Sequence, residues 1–427
     1  MKEILCKRKS KKPIGYRFFA VLAGVGLLLS ATAASEETSQ VISLPEAVMM
    51  TLNYHPELKA LLSQEQVWQG RIQQAGVGER PQIGLMIEDA MGTGEHSALK
   101  STQSTLTYTW LLQQEQIDSR VNAAKSEAAK LVLEKQVKAL DLSALVAKHY
   151  IDILVKQERL KLNQMAATQA EEVVDAITKR VKAGKSSSVE VQLAKAELIR
   201  RELAVEDVEH ELKASQYQLA SLWGNPAQNY YLNGNLLSVP AVPSVESQLA
   251  LLKQNPRLQQ FVSAQRIAQS QMELARIEAK PQWQFTAGLR RYEATDDFGL
   301  VAGISIPWGD SNRNAGMIAA LQAQQDVLAS EQSALMQSLD AQLYVLLQEM
   351  AHSKHVIQTM QTDIVPTLET ALSEANNAFE RGQLSYNQYS GVRRELLSAQ
   401  TQLLEAFESL HLQHIEIQRL TGTSLSQ

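Results

Sequence analysis

The stretch Asn377-Ala378-Phe379-Glu380-Arg381-Gly382-Gln383-Leu384-Ser385-Tyr386 is a glycine-centred turn between two long runs of helix-forming residues. Upstream, from about Asn312 to Arg381, Ala, Gln, Leu, Glu and Met dominate, and Pro366 and Gly316 are the only helix breakers. Downstream, Asn387 to Leu420 has the same character. At about 1.5 Å per residue the upstream helix would reach roughly 100 Å and the returning one about half of that. Helices of that length do not fit an ordinary globular core.

The same arrangement occurs earlier, with Arg180-Val181-Lys182-Ala183-Gly184-Lys185-Ser186-Ser187-Ser188 between a run starting near Gln113 and one ending near Leu222. Laid over each other, the halves keep register. Pro56 falls on Pro256 and Pro81-Gln82 on Pro281-Gln282; further on, Gly184 falls on Gly382, Glu197-Leu198 on Glu395-Leu396 and Gly224 on Gly422. Two unrelated helical segments that merely break at glycine would not also align their prolines, so the chain reads as an internal duplication. The expected organisation is a processing segment over residues 1–33, a first repeat over 34–227 with its tip near Gly184, and a second over 228–427 with its tip near Gly382.

The first 33 residues read as a cleaved export signal. Seven basic residues from Lys2 to Arg17 precede the apolar run Phe18 to Leu29, and Ala31-Thr32-Ala33 supplies a small-residue cleavage site. Cys6, the only cysteine, lies before that run, so the mature chain would hold no thiol for disulfides, zinc-thiolate sites or catalysis. Removing seven basic residues and one acidic residue takes the formal charge from −5 to near −11. Such a chain is a poor match for nucleic acid, whose binding rests on clustered Lys and Arg.

Between the helical runs the period changes from that of a helix to that of a strand. Ile83, Leu85 and Ile87 alternate with Gly84, Met86 and Glu88, then Leu106, Tyr108 and Trp110 with Thr105, Thr107 and Thr109. In the second half Trp283, Phe285, Ala287 and Leu289, then Leu300, Ala302, Ile304 and Ile306, alternate with polar or small residues. Each half would carry one β-hairpin, at about 82–110 and about 282–306, with polar loops at Asp89–Thr102 and Glu293–Asp297. Strands of about ten residues cross a bilayer when tilted. Four cannot close a barrel and open edges are not tolerated in lipid, so other copies must supply the rest. Trp110, Trp283 and Trp308 would form an interfacial aromatic girdle. A soluble hairpin pair packed on the helices is the alternative reading of the same pattern.

In order and spacing these features resemble the TolC-type outer-membrane efflux proteins. The resemblance rests on the duplication, the Leu44-Pro45-Glu46-Ala47 opening followed by Asn53-Tyr54-His55-Pro56, the Pro-Gln entry to each hairpin, and the Ile304-Ser305-Ile306-Pro307-Trp308 exit. It implies a mainly α chain with membrane β: a TolC-like fold in which a homotrimer forms a 12-stranded outer-membrane barrel, four strands per chain, continued by a long periplasmic α-helical barrel. It also implies contact with outer-membrane lipid, and docking of a periplasmic adaptor (a membrane fusion protein) and an inner-membrane pump of the resistance-nodulation-division type.

The expected docking tips are Gly184, Lys185, Ser186 and Ser187 in the first hairpin and Arg381, Gly382, Gln383, Leu384 and Ser385 in the second. Glycine supplies the reversal, and the hydroxyls of Ser186, Ser187 and Ser385 can cap the returning helices. The resemblance further implies polar links between neighbouring helices that close the resting tip. Glu190 fits such a link, with Arg180, Lys182 or Arg381 as partners, but Gln388 stands at the equivalent place in the second hairpin. A solvated helix face is the plainer reading of the same charges.

Histidines supply the only metal signal. His352 and His355 precede Gly382 by about as many residues as His411 and His414 follow it, so an antiparallel hairpin brings the pairs to similar height. Each pair has the spacing that places both rings on one helix face. No carboxylate or thiolate set completes a site, and no metal or other cofactor is expected. The overall pattern resembles the heavy-metal branch of the family, the CzcC-like ducts. No phosphate-cradling loop, nucleophile elbow or His-Glu-x-x-His is present, so an enzyme is not expected. A type I secretion duct for polypeptides, or a periplasmic coiled-coil scaffold without a barrel, share much of this pattern.

Overall fold

A computed structural model of the chain describes residues 40–225, 230–309 and 312–423. The export segment, Cys6 and the boundary between the repeats at 227/228 lie outside the described residues. Strand β1 (Gln40–Ile42) leads into helices α1 (Leu44–Tyr54) and α2 (Pro56–Ala75), strands β2 (Gln82–Glu88) and β3 (Gln103–Leu112), and helices α3 (Gln114–Lys182) and α4 (Ser188–Ser221). The same order then recurs: β4 (Tyr230–Leu232), α5 (Val245–Leu252), α6 (Pro256–Glu278), β5 (Trp283–Tyr292), β6 (Asp297–Ser305), α7 (Ala315–Thr359), α8 (Val365–Glu380) and α9 (Tyr386–Thr421).

Local chemistry explains the repeated boundaries. The N-cap of α2 is His55, whose Nδ1 accepts from the Glu57 amide, and the N-cap of α6 is Asn255, whose Oδ1 accepts from the Arg257 amide. In both helices proline stands at the first position, where its missing N–H costs nothing. At α1 the Glu46 carboxylate accepts from the Ser43 amide (2.8 Å) and hydroxyl (2.7 Å), closing a capping box.

The upstream arm of the second hairpin is not one uninterrupted α-helix. A π-helical turn over Met360–Ile364 joins α7 to α8. Pro366 follows at once, removing one backbone donor, and the Thr362, Thr367 and Thr370 hydroxyls donate back to the carbonyls of Gln358, Asp363 and Pro366. A ring that cannot donate and three hydroxyls that compete for carbonyls are the local cause of the widened turn.

The four membrane-type strands form one antiparallel sheet in the order β2-β3-β5-β6. The two hairpins are thus neighbours through β3 and β5, and β2 and β6 are left as open edges. On one face Ile83, Leu85, Leu106, Tyr108, Leu289, Leu300 and Ile304 are exposed, Leu300 at 88 %. The opposite face carries Gly84, Thr105, Thr107, Thr109, Gln284, Thr286, Gly288 and Gly303. Such a wide exposed apolar face is what lipid, rather than water, requires. Trp110, Phe285 and Trp283 stack along the end of the sheet nearest the helices, and fully exposed Trp308 lies just past β6 at the same end. β2 runs for seven residues rather than about ten, because Asp89 takes a φ of 57° and leaves the extended ladder. Asp297, expected in the loop, opens β6. Among the described residues no helix is long and apolar enough to cross a membrane.

Away from the sheet, β1 and β4 pair in parallel and join the two repeats. The Tyr150 hydroxyl on α3 shares its proton between the carbonyls of Asn233 (2.8 Å) and Ile42 (3.1 Å), and burial pushes its pKa up to about 12. The main apolar core lies here, from Ala144 to Val155 on α3, Leu339 to Ile357 on α7 and Phe407 to Leu420 on α9. A second, separate cluster sits at the tips: Val173, Ile177, Ala194, Ala375, Phe379, Tyr386 and Tyr389.

Candidate functional site

Both long hairpins reverse by the same device. At the first tip Gly184 takes a φ of 68°, its amide donates to Val181 O (3.0 Å) and the Lys185 amide to Arg180 O (2.9 Å). At the second Gly382 takes a φ of 77°, its amide donates to Phe379 O (3.0 Å) and that of Gln383 to Ala378 O (2.8 Å). This paired bonding is a Schellman motif, whose left-handed residue glycine adopts without steric penalty. The Ser187 hydroxyl then accepts from the Val189 amide, and that of Ser385 from the Gln388 amide. Ser186 does not cap a helix: its hydroxyl donates to Glu190 Oε2 (2.5 Å).

The expected gate residues separate into two groups. Arg180 and Glu190 both cross from the first hairpin to the second. The Arg180 guanidinium donates to the Phe379 carbonyl, lies 4.6 Å above the Phe379 ring and would touch a side chain placed at Gly382, while its Nε is buried without a hydrogen-bond partner. Glu190 accepts from the Tyr386 amide at 3.5 Å. A cation thus meets the carbonyl end of α8 and an anion the amide end of α9, the polarity that the helix dipoles favour. Gln388 turns back to Ser385 in a capping box, Arg381 donates to Asn377 O, and Lys182 is exposed. Within one chain no ion pair among the described residues joins Glu190 to Arg180, Lys182 or Arg381. Glu190 is occupied by Ser186 and by the start of α9.

Three aromatic side chains and one further arginine complete the site. Phe379 and Tyr389 stack at 4.9 Å with an interplanar angle of 8°, Tyr386 is buried beside them, and the Arg393 guanidinium lies 5.9 Å from the Tyr389 ring. Burial pushes the Tyr386 and Tyr389 hydroxyls up. A groove of about 690 Å³ runs between α3 and α8, with Tyr389 and Arg393 of α9 as its floor. A sequence signal for this cluster exists. Aromatic residues make up only 5 % of the chain, yet three of them fall between 379 and 389.

The histidine pairs do not assemble. His352 and His355 are exposed on α7, whereas the His411 Nε2 is bonded to Leu236 O (2.8 Å) and the His414 Nδ1 is buried without a partner. Burial lowers the pKa of both His411 and His414, keeping them neutral near pH 7. No group of three or more His, Cys, Asp or Glu that could hold a metal is found among the described residues.

Comparison with known proteins agrees with this geometry. A family model described as outer membrane efflux protein matches residues 48–225, within the first repeat. The chain is 25 % identical over 401 residues to the cobalt-zinc-cadmium resistance protein CzcC of Cupriavidus metallidurans, covering 90 % of this chain and 91 % of that one. Among solved structures, CusC superposes with a TM-score of 0.71 at 15 % identity, over 89 % of this chain and 92 % of its own. The outer membrane protein VceC of Vibrio cholerae does so with a TM-score of 0.70 at 17 % identity, over 90 % and 96 %. With an open four-stranded sheet and two long hairpins, the chain matches the outer membrane efflux protein family model over most of its first repeat and is similar to CzcC along nearly its whole length.

Proposed function

We propose that the chain is the outer-membrane exit duct of a tripartite efflux system, a passive conduit that takes solutes from an inner-membrane pump and a periplasmic adaptor to the exterior. One observation carries the reading: a sheet apolar on one face and small or polar on the other, open at β2 and β6, continues directly into helices roughly 100 Å long. Open edges in lipid leave backbone groups unpaired at a cost of several kcal/mol each, so β6 of one copy must meet β2 of the next. Three copies supply twelve strands and a lumen lined by Gly, Thr and Gln. The outer membrane is the location, with the helices in the periplasm. Membrane fractions that yield a heat-modifiable trimer resistant to carbonate washing support the reading; release by carbonate as a soluble chain overturns it.

The tips are the docking surface for the adaptor. Gly184 to Ser187 and Arg381 to Ser385 are the ends furthest from the sheet, and the groove between α3 and α8 beside them is wide enough to take apolar side chains from a partner helix. Arg180 and Glu190 fasten the two hairpins of one copy together at this point, so that opening moves whole hairpin pairs against one another.

The cargo is divalent metal cations, delivered by a pump of the resistance-nodulation-division type. Support comes from the relation to CzcC, whose name records cobalt, zinc and cadmium resistance. Deletion of the gene is expected to lower the zinc, cobalt or cadmium concentration that arrests growth. Unchanged tolerance to all three contradicts the metal assignment and leaves the duct intact.

A further inference from the structure

The polar face of the sheet is nearly free of charge until its far end. Along β2, β3, β5 and β6 the side chains on that face are Gln, Gly, Met, Thr, Leu, Tyr, Val and Ser, except for Glu88, Arg290 and Asp297. All three stand within two residues of the strand ends furthest from the helices, at the outer mouth of the duct.

Arg290 does not project into the bore. Its Nη2 donates to Glu88 Oε2 (2.9 Å), its Nη1 to Gln103 Oε1 (3.1 Å) and its Nε to Thr105 Oγ1 (2.8 Å), so the guanidinium lies flat across β2 and β3. Gln103 is itself oriented, because its Nε2 donates to Asp89 Oδ2 (3.0 Å) at the start of the outer loop. Glycine at 299, opposite Arg290 on β6, leaves the facing wall without a side chain. On the strands of this face each copy therefore presents two carboxylates and one guanidinium, the guanidinium matched to one of the carboxylates, while Asp89, Glu95, Lys100, Glu293 and Asp296 stand in the loops beyond.

We propose that Glu88 and Arg290 tune the ion preference of the outer mouth: Arg290 is neutralised and held against the wall by Glu88, leaving Asp297 as the uncompensated charge of the strand wall, which favours cations. This rests on the duct reading above and adds to it the place where an ion preference arises. Charges lining a low-dielectric aperture shift local ion concentrations strongly, and their effect weakens with salt.

The test is the reversal potential of the trimer in a planar bilayer under a gradient of KCl, compared at low and high ionic strength. The natural protein is expected to favour potassium over chloride. Glu88→Gln keeps an acceptor for Arg290 but brings the strand wall to neutrality, and the preference is expected to fall by about threefold or more. Arg290→Gln removes the one cation of the strand wall and is expected to raise it. Arg290→Cys, in a mature chain otherwise free of thiols, returns toward the natural value with a cationic thiol reagent and moves further away with an anionic one. Conducting channels whose reversal potential is the same in all these forms overturn the inference and leave the duct standing. A natural chain that neither assembles nor inserts into the bilayer overturns the duct reading and this inference with it.

Discussion

Replacing Arg180 by Met is the sharpest probe of the tips, because it keeps the unbranched stem of the side chain and removes the guanidinium with its charge and hydrogen bonds. Two contacts disappear: the charge-assisted bond to the Phe379 carbonyl and the stacking of the guanidinium over the Phe379 ring at 4.6 Å. A hydrogen bond from a charged donor contributes roughly 1.5–3 kcal/mol and a cation–π contact about 0.5–2 kcal/mol. One guanidinium serves both, so the terms overlap and the expected loss is about 2 kcal/mol, or roughly thirtyfold in the local opening equilibrium. Native-state hydrogen exchange reads this directly at the amides of Gly382 and Gln383, which close the second turn, and at Lys185, which closes the first. Faster exchange at these amides, with the amides of β3 and β5 unchanged, is the predicted outcome. Unaltered exchange at the tips, or acceleration spread equally over the sheet, refutes the idea that Arg180 fastens one hairpin to the other.

Other consequences follow from the same geometry. Gly382→Ala places a Cβ at a φ of 77° and should loosen the second turn by about 1 kcal/mol, read as faster exchange at Gln383 with trimer assembly intact. Gly288→Val should abolish assembly, because a Cβ at 288 would lie 2.5 Å from the Leu106 carbonyl oxygen across the β3·β5 pair; absence of the heat-modifiable band reports it. At the base of α9 burial alone would raise the Glu416 pKa, but hydrogen bonds from Arg419 and Lys148 outweigh it and hold it at about 2, against an ordinary value of 4.5. Because the folded pKa is the lower one, this stabilisation is complete above pH 4.5 and is lost as pH falls towards 2. It amounts to on the order of 3 kcal/mol. Thermal unfolding of the trimer should weaken across that window, and Glu416→Gln should flatten the dependence.

How much of this was legible in the sequence depended on how local the cause was. The strands announced themselves by a period of two, and both tips by a glycine followed three residues later by a capping serine. These are features in which a residue's own backbone preference decides the outcome. The π-turn was not legible. Pro366 marks a disturbance of the helix but does not tell a kink from a widened turn. The shortness of β2 was hidden for a similar reason, since nothing in Glu88-Asp89-Ala90 shows that Asp89 turns left-handed. The bonds of Arg180 and Glu190 to the second hairpin are tertiary, spanning 199 and 196 residues, and only the crowding of aromatics at 379–389 hinted at a contact there. The histidine pairs show the converse. Helical spacing was correctly read, but His411 is bonded to Leu236 O while His352 and His355 point to the surface, so shared height did not become a shared ligand set.

Native mass spectrometry of the detergent-extracted particle from outer-membrane fractions tests the central claim most directly, since a wall with two unpaired edges is complete only when neighbours close it. Three copies in one particle are predicted, and a stable monomer, or a chain recovered in the soluble fraction, would contradict the account.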